Sequence, residues 1–325
     1  MSHGTILKRE SAPCFDAGSK YCPCELALLG QCVACSQLRG KNVCACGWSG
    51  VCVSLQFAFN GSRPAPGRVP STVSILEQRV MDDTPDDVRV LILTLDVPQD
   101  VATWSVFPGS FVMLRPQGRS ERWNVPLCVT RAQDSSLEVM MEVLGPKTIA
   151  LDTAASSGSN LILTGPFWSG IQGIENLRKF GGGRVLAVAK GIGQATLLQA
   201  AEYVAHRGGF LRAMIGPGPL GSVFSAGLLT SLGASVEVMP KAKDHNLRRI
   251  AGELSAGGYD LLLSSGSDTQ HQNLKSLLGE MPEPPAFAWS SNLTMTCAEG
   301  ICGSCLVQGF RGCKAHIPEN ALWNK

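Results

Sequence analysis

Excess charge of either sign is missing from this chain. Its 28 Lys and Arg against 26 Asp and Glu leave +2 over 325 residues. Such balance lacks the basic footprint of a nucleic-acid or anionic-membrane binder, so neither partner is expected. Long apolar runs are also missing. None reaches the ~18 residues of a bilayer-crossing helix, so no membrane span is expected. Met1 to Glu10 carry no apolar h-region; no signal peptide is expected, and the cytoplasm is the expected compartment. Histidine is scarce, with 5 in all and scattered. No Ser-His-Asp or His-Glu arrangement stands out, so no catalytic residue is assigned. His316, close to Cys313, reads as a surface side chain.

Cysteine is what the chain has in quantity, with 13 residues. In a small secreted chain that would suggest disulfides; in a long chain without a signal it reads as metal ligation. The C-terminal group is Cys297, Cys302, Cys305 and Cys313. Its C-x4-C-x2-C…C spacing is that of plant-type [2Fe–2S] proteins. Gly300 and Gly303 between the ligands leave backbone N–H groups able to point at sulfur. Zinc and plain structural thiols are the alternatives. Zinc usually pairs two C-x2-C knuckles or a knuckle with histidines at longer distance. A [2Fe–2S] cluster moves single electrons, so the spacing argues for a redox component.

Eight further cysteines crowd the first 52 residues: Cys14, Cys22, Cys24, Cys32, Cys35, Cys44, Cys46 and Cys52. The segment is too poor in aliphatic residues for a core of its own, and small domains of that kind need a metal or disulfides. An iron–sulfur cluster, zinc and a thiol-rich surface remain open readings. Eight thiolates exceed the four that one site needs.

The rest of the chain divides by pattern. Residues 1–60 are the cysteine-rich segment, and 61–70, rich in Gly and Pro, form a linker. Residues 71–158 carry short alternating strands such as Val88-Arg-Val-Leu-Ile-Leu-Thr-Leu and Ser136-Leu-Glu-Val-Met-Met-Glu-Val, spaced as in a small antiparallel barrel. Residues 159–290 alternate strand and helix, the mark of a doubly wound parallel sheet. Residues 291–325 hold the C-terminal cysteines. In the second domain a buried strand ends at Lys190, and Gly191-Ile-Gly193 opens a helix beginning near Leu197. Such a turn suits a pyrophosphate, although a strand–helix turn without ligand reads the same way. Lys190 either adds positive charge there or is a solvated strand end.

The order of barrel, nucleotide-type sheet and cysteine loop resembles the ferredoxin-reductase superfamily, and within it the electron-transfer subunits of NAD-dependent dihydroorotate dehydrogenases. The likeness covers roughly residues 70–313. It rests on Phe111-Val-Met-Leu-Arg, Pro126-Leu-Cys-Val, Gly145-Pro-Lys-Thr148, Leu163-Thr-Gly-Pro-Phe, Gly191-Ile-Gly-Gln-Ala-Thr-Leu and the terminal cysteines. The resemblance implies FAD on the barrel, NAD(P)H on the parallel domain, and a cluster relaying electrons to a catalytic flavoprotein subunit of a heteromeric complex. It assigns flavin contacts to Pro126, Leu127, Cys128, Gly145, Lys147 and Thr148, and nucleotide contacts to Gly191, Gly193, Gln194, Thr196, Ser265 and Gly266. The family's flavin arginine is missing beside Pro126, which leaves Arg122 or Arg115 to supply that charge. Cys128 replaces a hydroxyl, and a thiol is the weaker hydrogen-bond donor. Cys128 also reads as a small buried apolar residue. The family's Cys-Gly-Pro becomes Ser265-Gly266-Ser267, which leaves open whether a dinucleotide still binds. A non-enzymatic iron–sulfur relay and a zinc-organised interaction subunit are the alternative functions. The N-terminal cysteines lie outside the usual family pattern.

Overall fold

A computed structural model describes residues 14–46, 50–240 and 243–318. The reading of Met1 to Glu10 and the segment from 319 onward lie outside them. The chain forms two compact units, Pro70–Thr296 and the pair of segments Met1–Val69 and Cys297–Lys325.

In Pro70–Thr296, six strands close an antiparallel barrel. They are β1 (Ser71–Val80), β2 (Val90–Asp96), β3 (Phe111–Pro116), β4 (Val125–Gln133), β5 (Ser136–Glu142) and β6 (Leu161–Phe167), ordered β1-β2-β5-β4-β3-β6. In β2 the residues Leu91, Leu93 and Leu95 point into the barrel with Val112, Leu114, Leu127, Val129, Leu137 and Val139. Val90 and Ile92 face outward, yet they are buried with Met140, Ala195 and Leu220. Both faces are therefore apolar, which blurs the period-2 alternation in sequence. Each such side chain contributes roughly 1.5–3 kcal/mol by burial. The closing strand lies beyond residue 158. Leu161 pairs with Val73 of β1, and Leu163 with Leu114 of β3, so no barrel edge is left. Its Thr164-Gly165-Pro166 is made of turn formers, which mask a strand in sequence.

The second sheet contains β7 (Ile171–Gln172), β8 (Arg184–Lys190), β9 (Phe210–Gly216), β10 (Ser235–Val238), β11 (Leu261–Ser265) and β12 (Ala286–Ser290), ordered β10-β9-β8-β11-β12-β7. All neighbours are parallel except β12 and β7. Helices Gly193–His206, Ala226–Ser231, Lys243–Ser255 and Asp268–Gly279 make the connections. The strand order reverses between β8 and β11, so the carboxyl ends of those two strands open a crevice. The expected architecture, a small barrel followed by a doubly wound sheet, is the one observed.

The other unit is held differently. Cys14 bridges to Ala315, and the Phe15 amide donates to the Lys314 carbonyl at 2.9 Å. A small apolar cluster joins Cys14, Ala17, Ala27, Cys32, Ala34, Cys35 and Val53. Beside it lies a buried ionic network. Arg68 Nη2 donates to Asp16 Oδ1 at 2.8 Å and its Nη1 to Glu299 Oε1 at 3.1 Å, while Lys314 Nζ contacts both carboxylates. Arg68 belongs to the sequence-predicted linker; the segment is irregular, but this side chain is buried. Its guanidinium also lies 4.0 Å from the Tyr21 ring centroid. His316 is half-buried rather than on the surface, its ring 4.0 Å from that of Phe15.

Candidate functional site

The crevice at the switch point widens into a cleft with a cavity volume of about 1130 Å³. One wall is barrel strand β4, with Pro126, Leu127 and Cys128; the other is Lys190, Gly191, Gly193, Thr196 and Gly266. Helix Gly193–His206 joins the two walls. Its Gln199 Nε2 donates to the Ser105 carbonyl at 2.8 Å, and its Oε1 accepts from the Ser110 amide at 3.2 Å. Thr196 Oγ1 donates to Cys128 Sγ across the cleft floor at 3.4 Å, and that thiol donates to the Ser110 carbonyl at 3.7 Å. Burial pushes the Cys128 thiol up to about 11, against a smaller lowering by the Thr196 hydroxyl. Cys128 is therefore a neutral donor at physiological pH.

Two glycines shape the turn after β8. Gly191 has φ +58°, in the left-handed region that favours glycine. Gly193 is needed for a different reason. A Cβ there would overlap the Ser265 carbonyl and lie 2.9 Å from the Gly266 amide nitrogen. The helix thus starts against the end of β11, and Ser265 Oγ donates to the Gly193 carbonyl at 2.6 Å.

Other expected positions fall elsewhere. Ser265 is a buried brace, and Gln194 is withdrawn into the core, where it donates to the Ser222 carbonyl at 3.1 Å and accepts from Ser225. Arg122 is exposed and outside the cleft wall. Arg115 is buried and committed to Asn124 Oδ1 at 2.9 Å. Gly145 caps helix Pro146–Ser156. Thr148 reaches the cleft wall, but its hydroxyl accepts from the Leu144 and Gly145 amides at 2.9 and 3.1 Å. Lys147 Nζ donates to the Asn124 carbonyl at 3.2 Å.

Sequence reasoning missed His271. Its Nδ1 lies 2.7 Å from Ser264 Oγ on β11 and its Nε2 3.3 Å from Ser290 Oγ on β12. Burial lowers His271 to about 4, so it is neutral and ties together the two strand ends that border the cleft. No sequence motif marks it; a lone histidine in a polar helix carries no signal. Asp268, Asn273 and Asn292 also line the cleft and were not anticipated.

The C-terminal cysteines are a separate donor set. Cys297 Sγ accepts from the Glu299 amide at 3.3 Å and the Cys302 amide at 3.5 Å. Gly300 and Gly303 have φ of +80° and +77°, which turn the loop around these sulfurs. Cys305 Sγ and Cys313 Sγ are 3.2 Å apart and buried. Sharing a proton with Cys313 brings Cys305 down to about 6 and pushes Cys313 up. At Cys302 burial opposes ionisation, but hydrogen bonds from Ser304 and Cys297 bring it to about 7. The donor chemistry fits a thiolate-bound cluster. Among the described residues, no three His, Cys, Asp or Glu side chains converge on a single metal ion. All thirteen cysteines are free thiols.

No family model matches the chain. Among solved structures it is similar to the NADH-dependent reduced ferredoxin-NADP oxidoreductase described for flavin-based electron bifurcation. The TM-score is 0.56 and the identity 19%, covering 74% of this chain and 83% of the other. It is also similar to a ferredoxin-NADP+ reductase variant from Plasmodium falciparum with 2'P-AMP, at TM-score 0.51 and 12% identity over 68% and 96% of the two chains. At these identities the likeness is one of fold. Barrel and sheet together have the ferredoxin-reductase architecture.

Proposed function

We propose that this chain is the electron-transfer component of an oxidoreductase complex, one that takes electrons from NAD(P)H and passes them to a partner flavoprotein. The observation that carries the reading is the single cleft walled by barrel strand β4 on one side and by the Gly191–Gly193 turn on the other. Pro126, Leu127 and Cys128 would hold the flavin ring system of FAD. The Gly191–Gly193 turn, Lys190 and Gly266 would hold the nucleotide pyrophosphate. Cys297, Cys302, Cys305 and Cys313 would hold a [2Fe–2S] cluster. When bound, the flavin interconverts two-electron and one-electron transfer and the cluster takes single electrons.

The protein's own part is positioning and field. Cys128 presents a neutral thiol whose S–H is turned toward the Ser110 carbonyl. Lys190 is the cation on the nucleotide side, and the positive end of helix Gly193–His206 would favour a phosphate there. The Glu299 and Cys302 amides point at the Cys297 sulfur. The dihydroorotate dehydrogenase-type assignment rests on the cysteine spacing and the Pro126-Leu-Cys-Val and Gly145-Pro-Lys-Thr148 motifs.

Anaerobic purification with an absorption spectrum and iron, sulfide, zinc and flavin analysis tests the reading. FAD, iron, and bleaching by NADH or NADPH are expected. A flavin-free protein after reconstitution would overturn the flavin assignment. Iron without any response to either nucleotide would favour a relay that has lost the dinucleotide.

A further inference from the structure

The carboxyl end of β11 carries a hydrogen-bonded network that the proposed function does not use. Ser290 Oγ accepts from the Gly266 amide at 3.2 Å, and Asn292 Nδ2 donates to the Gly266 carbonyl at 2.8 Å. Side chains from β12 and the residues after it thus hold Gly266 by both its amide and its carbonyl. The same Asn292 nitrogen donates to Asp268 Oδ1 at 3.0 Å and lies 3.5 Å from His271 Nε2.

These contacts fix which way the Asn292 amide points. Turned round, its oxygen would face a carbonyl and a carboxylate, and acceptors cannot satisfy one another. The nitrogen therefore faces the protein, and Oδ1 is the outward atom of an exposed side chain on the cleft wall. Oδ1 has no hydrogen bond among the described residues. An amide oxygen only accepts. Neighbouring polar groups are committed: Gln270 Nε2 donates to the Val188 carbonyl at 3.0 Å, and Ser267 Oγ accepts from the Gln270 amide at 3.4 Å. Asn292 is a fixed acceptor open to a donor in the cleft.

Its place in the fold selects the part of a dinucleotide that meets it. From the Gly191–Gly193 turn a bound dinucleotide runs two ways, over β9 and β10 or over β11 and β12. The second way leads to the barrel. The Ser291 amide donates to the Gly170 carbonyl at 2.8 Å, and the Gly170 amide donates to the Gly109 carbonyl at 2.9 Å, just before β3. Phe111 of β3 and Gly170 share the cleft wall with Ser290 and Asn292. The end of a nucleotide that exchanges hydride with a barrel-bound flavin belongs on that side. In a pyridine nucleotide that end carries a carboxamide, whose NH2 is a donor.

We infer that Asn292 is a specificity-determining residue for the nicotinamide: its Oδ1 accepts a hydrogen bond from the carboxamide NH2, with Gly266 and Asp268 holding the amide in that orientation. The inference rests on the reading of the cleft as a pyridine-nucleotide site. It adds that the chain selects a carboxamide over a substituent of the same shape that has no N–H. A site built around a hydrogen bond rejects the analogue that cannot make it, because its own polar group is left unpaired.

The test is calorimetric titration of the full chain, purified anaerobically with its cofactors. The ligands are NAD+, NADP+ and the acetylpyridine analogue of whichever binds, in which a methyl replaces the NH2. Wild type is expected to bind the nicotinamide form about five- to tenfold more tightly than the analogue. In Asn292→Leu, close in size but without the acceptor, the two forms should bind within about twofold of each other. A purely structural role for Asn292 would weaken both forms alike and leave their ratio standing. That unchanged ratio in the variant would overturn the inference, as would equal affinity for the two forms in wild type. Should Asn292→Leu not fold, Asn292→Ala takes its place. A wild type that binds neither NAD+ nor NADP+ brings down the reading of the cleft, and the inference with it.

Discussion

Replacing Asp16 by Asn keeps the volume and removes one charge from the network that ties 14–69 to the C-terminal cysteine segment. Burial alone would raise the Asp16 carboxyl, but Lys314 and Arg68 overcome it and hold the group well below the usual carboxylate range. In the variant, two cations whose side chains are each 1% exposed must share Glu299, whose side chain is 31% exposed. Breaking a buried pair costs ~3–5 kcal/mol, and the remaining carboxylate places the expectation near about 3 kcal/mol. In urea, at ~1–3 kcal/mol per molar, the midpoint should fall by roughly 1–3 M. The assay is unfolding of the full chain in a chelator. Reaction of the buried thiols of Cys14, Cys32 and Cys35 reports this unit, and fluorescence of Trp104, Trp123, Trp168 and Trp289 is weighted toward Pro70–Thr296. Only the thiol transition should move. Adding Lys314→Met should restore part of the loss, because one stranded cation is gone. An unmoved thiol midpoint, or equal movement of both transitions, would refute the argument.

Other outcomes follow from the cleft and the cysteine loop. Burial holds His271 neutral down to about 4, against 6.5 when unfolded, so the unfolded chain binds the extra proton. Its contribution is complete above pH 6.5 and is lost as pH falls through 4, about 3 kcal/mol in all; melting of wild type and His271→Asn at pH 7 and pH 5 should show the dependence only in wild type. Gly193→Ala should cost ~1–3 kcal/mol by overpacking against Ser265, so lost nucleotide binding in that variant would report a displaced helix. Lys190→Glu is the cleaner probe: stability within about 0.5 kcal/mol of wild type, but NADH affinity reduced roughly tenfold in a titration. Unaltered NADH affinity would place the phosphate elsewhere. Cys302→Ser should bleach the visible spectrum of the C-terminal cluster and abolish its EPR signal; an intact signal removes Cys302 from the ligand set.

The fold was legible wherever a strand is bounded by turn chemistry. Ser136–Glu142 and Phe210–Gly216 carry clear signals, and the helix after Gly191 is marked by apolar residues from Leu197. Leu161–Phe167 was hidden because a barrel-closing strand that holds Gly165 and Pro166 looks like a loop. At the cleft, the sequence pointed to Cys128, Gly191 and Thr196, whose chemistry is local. Gln194, Ser265 and Arg115 are held by partners within the protein, which sequence does not reveal, because a polar side chain beside a glycine turn can serve either a ligand or the core and only packing distinguishes them. Arg68, Asp16, Glu299 and Lys314 lie in three separate stretches of sequence. No periodicity can bring together charges up to 298 positions apart.

The bridge between Cys14 and Ala315 also sets an order of assembly. On a ribosome adding ~5–20 residues per second, Asp16 waits on the order of tens of seconds for Glu299 and Lys314 to be made. During that interval Pro70–Thr296 can fold as a unit, while the cysteines from 14 to 52 have no partner segment and stand open to oxygen and stray metals. Closure of the buried ionic network therefore follows synthesis of the C-terminal segment, and low oxygen or a scaffold that shields those thiols should raise the yield of intact protein.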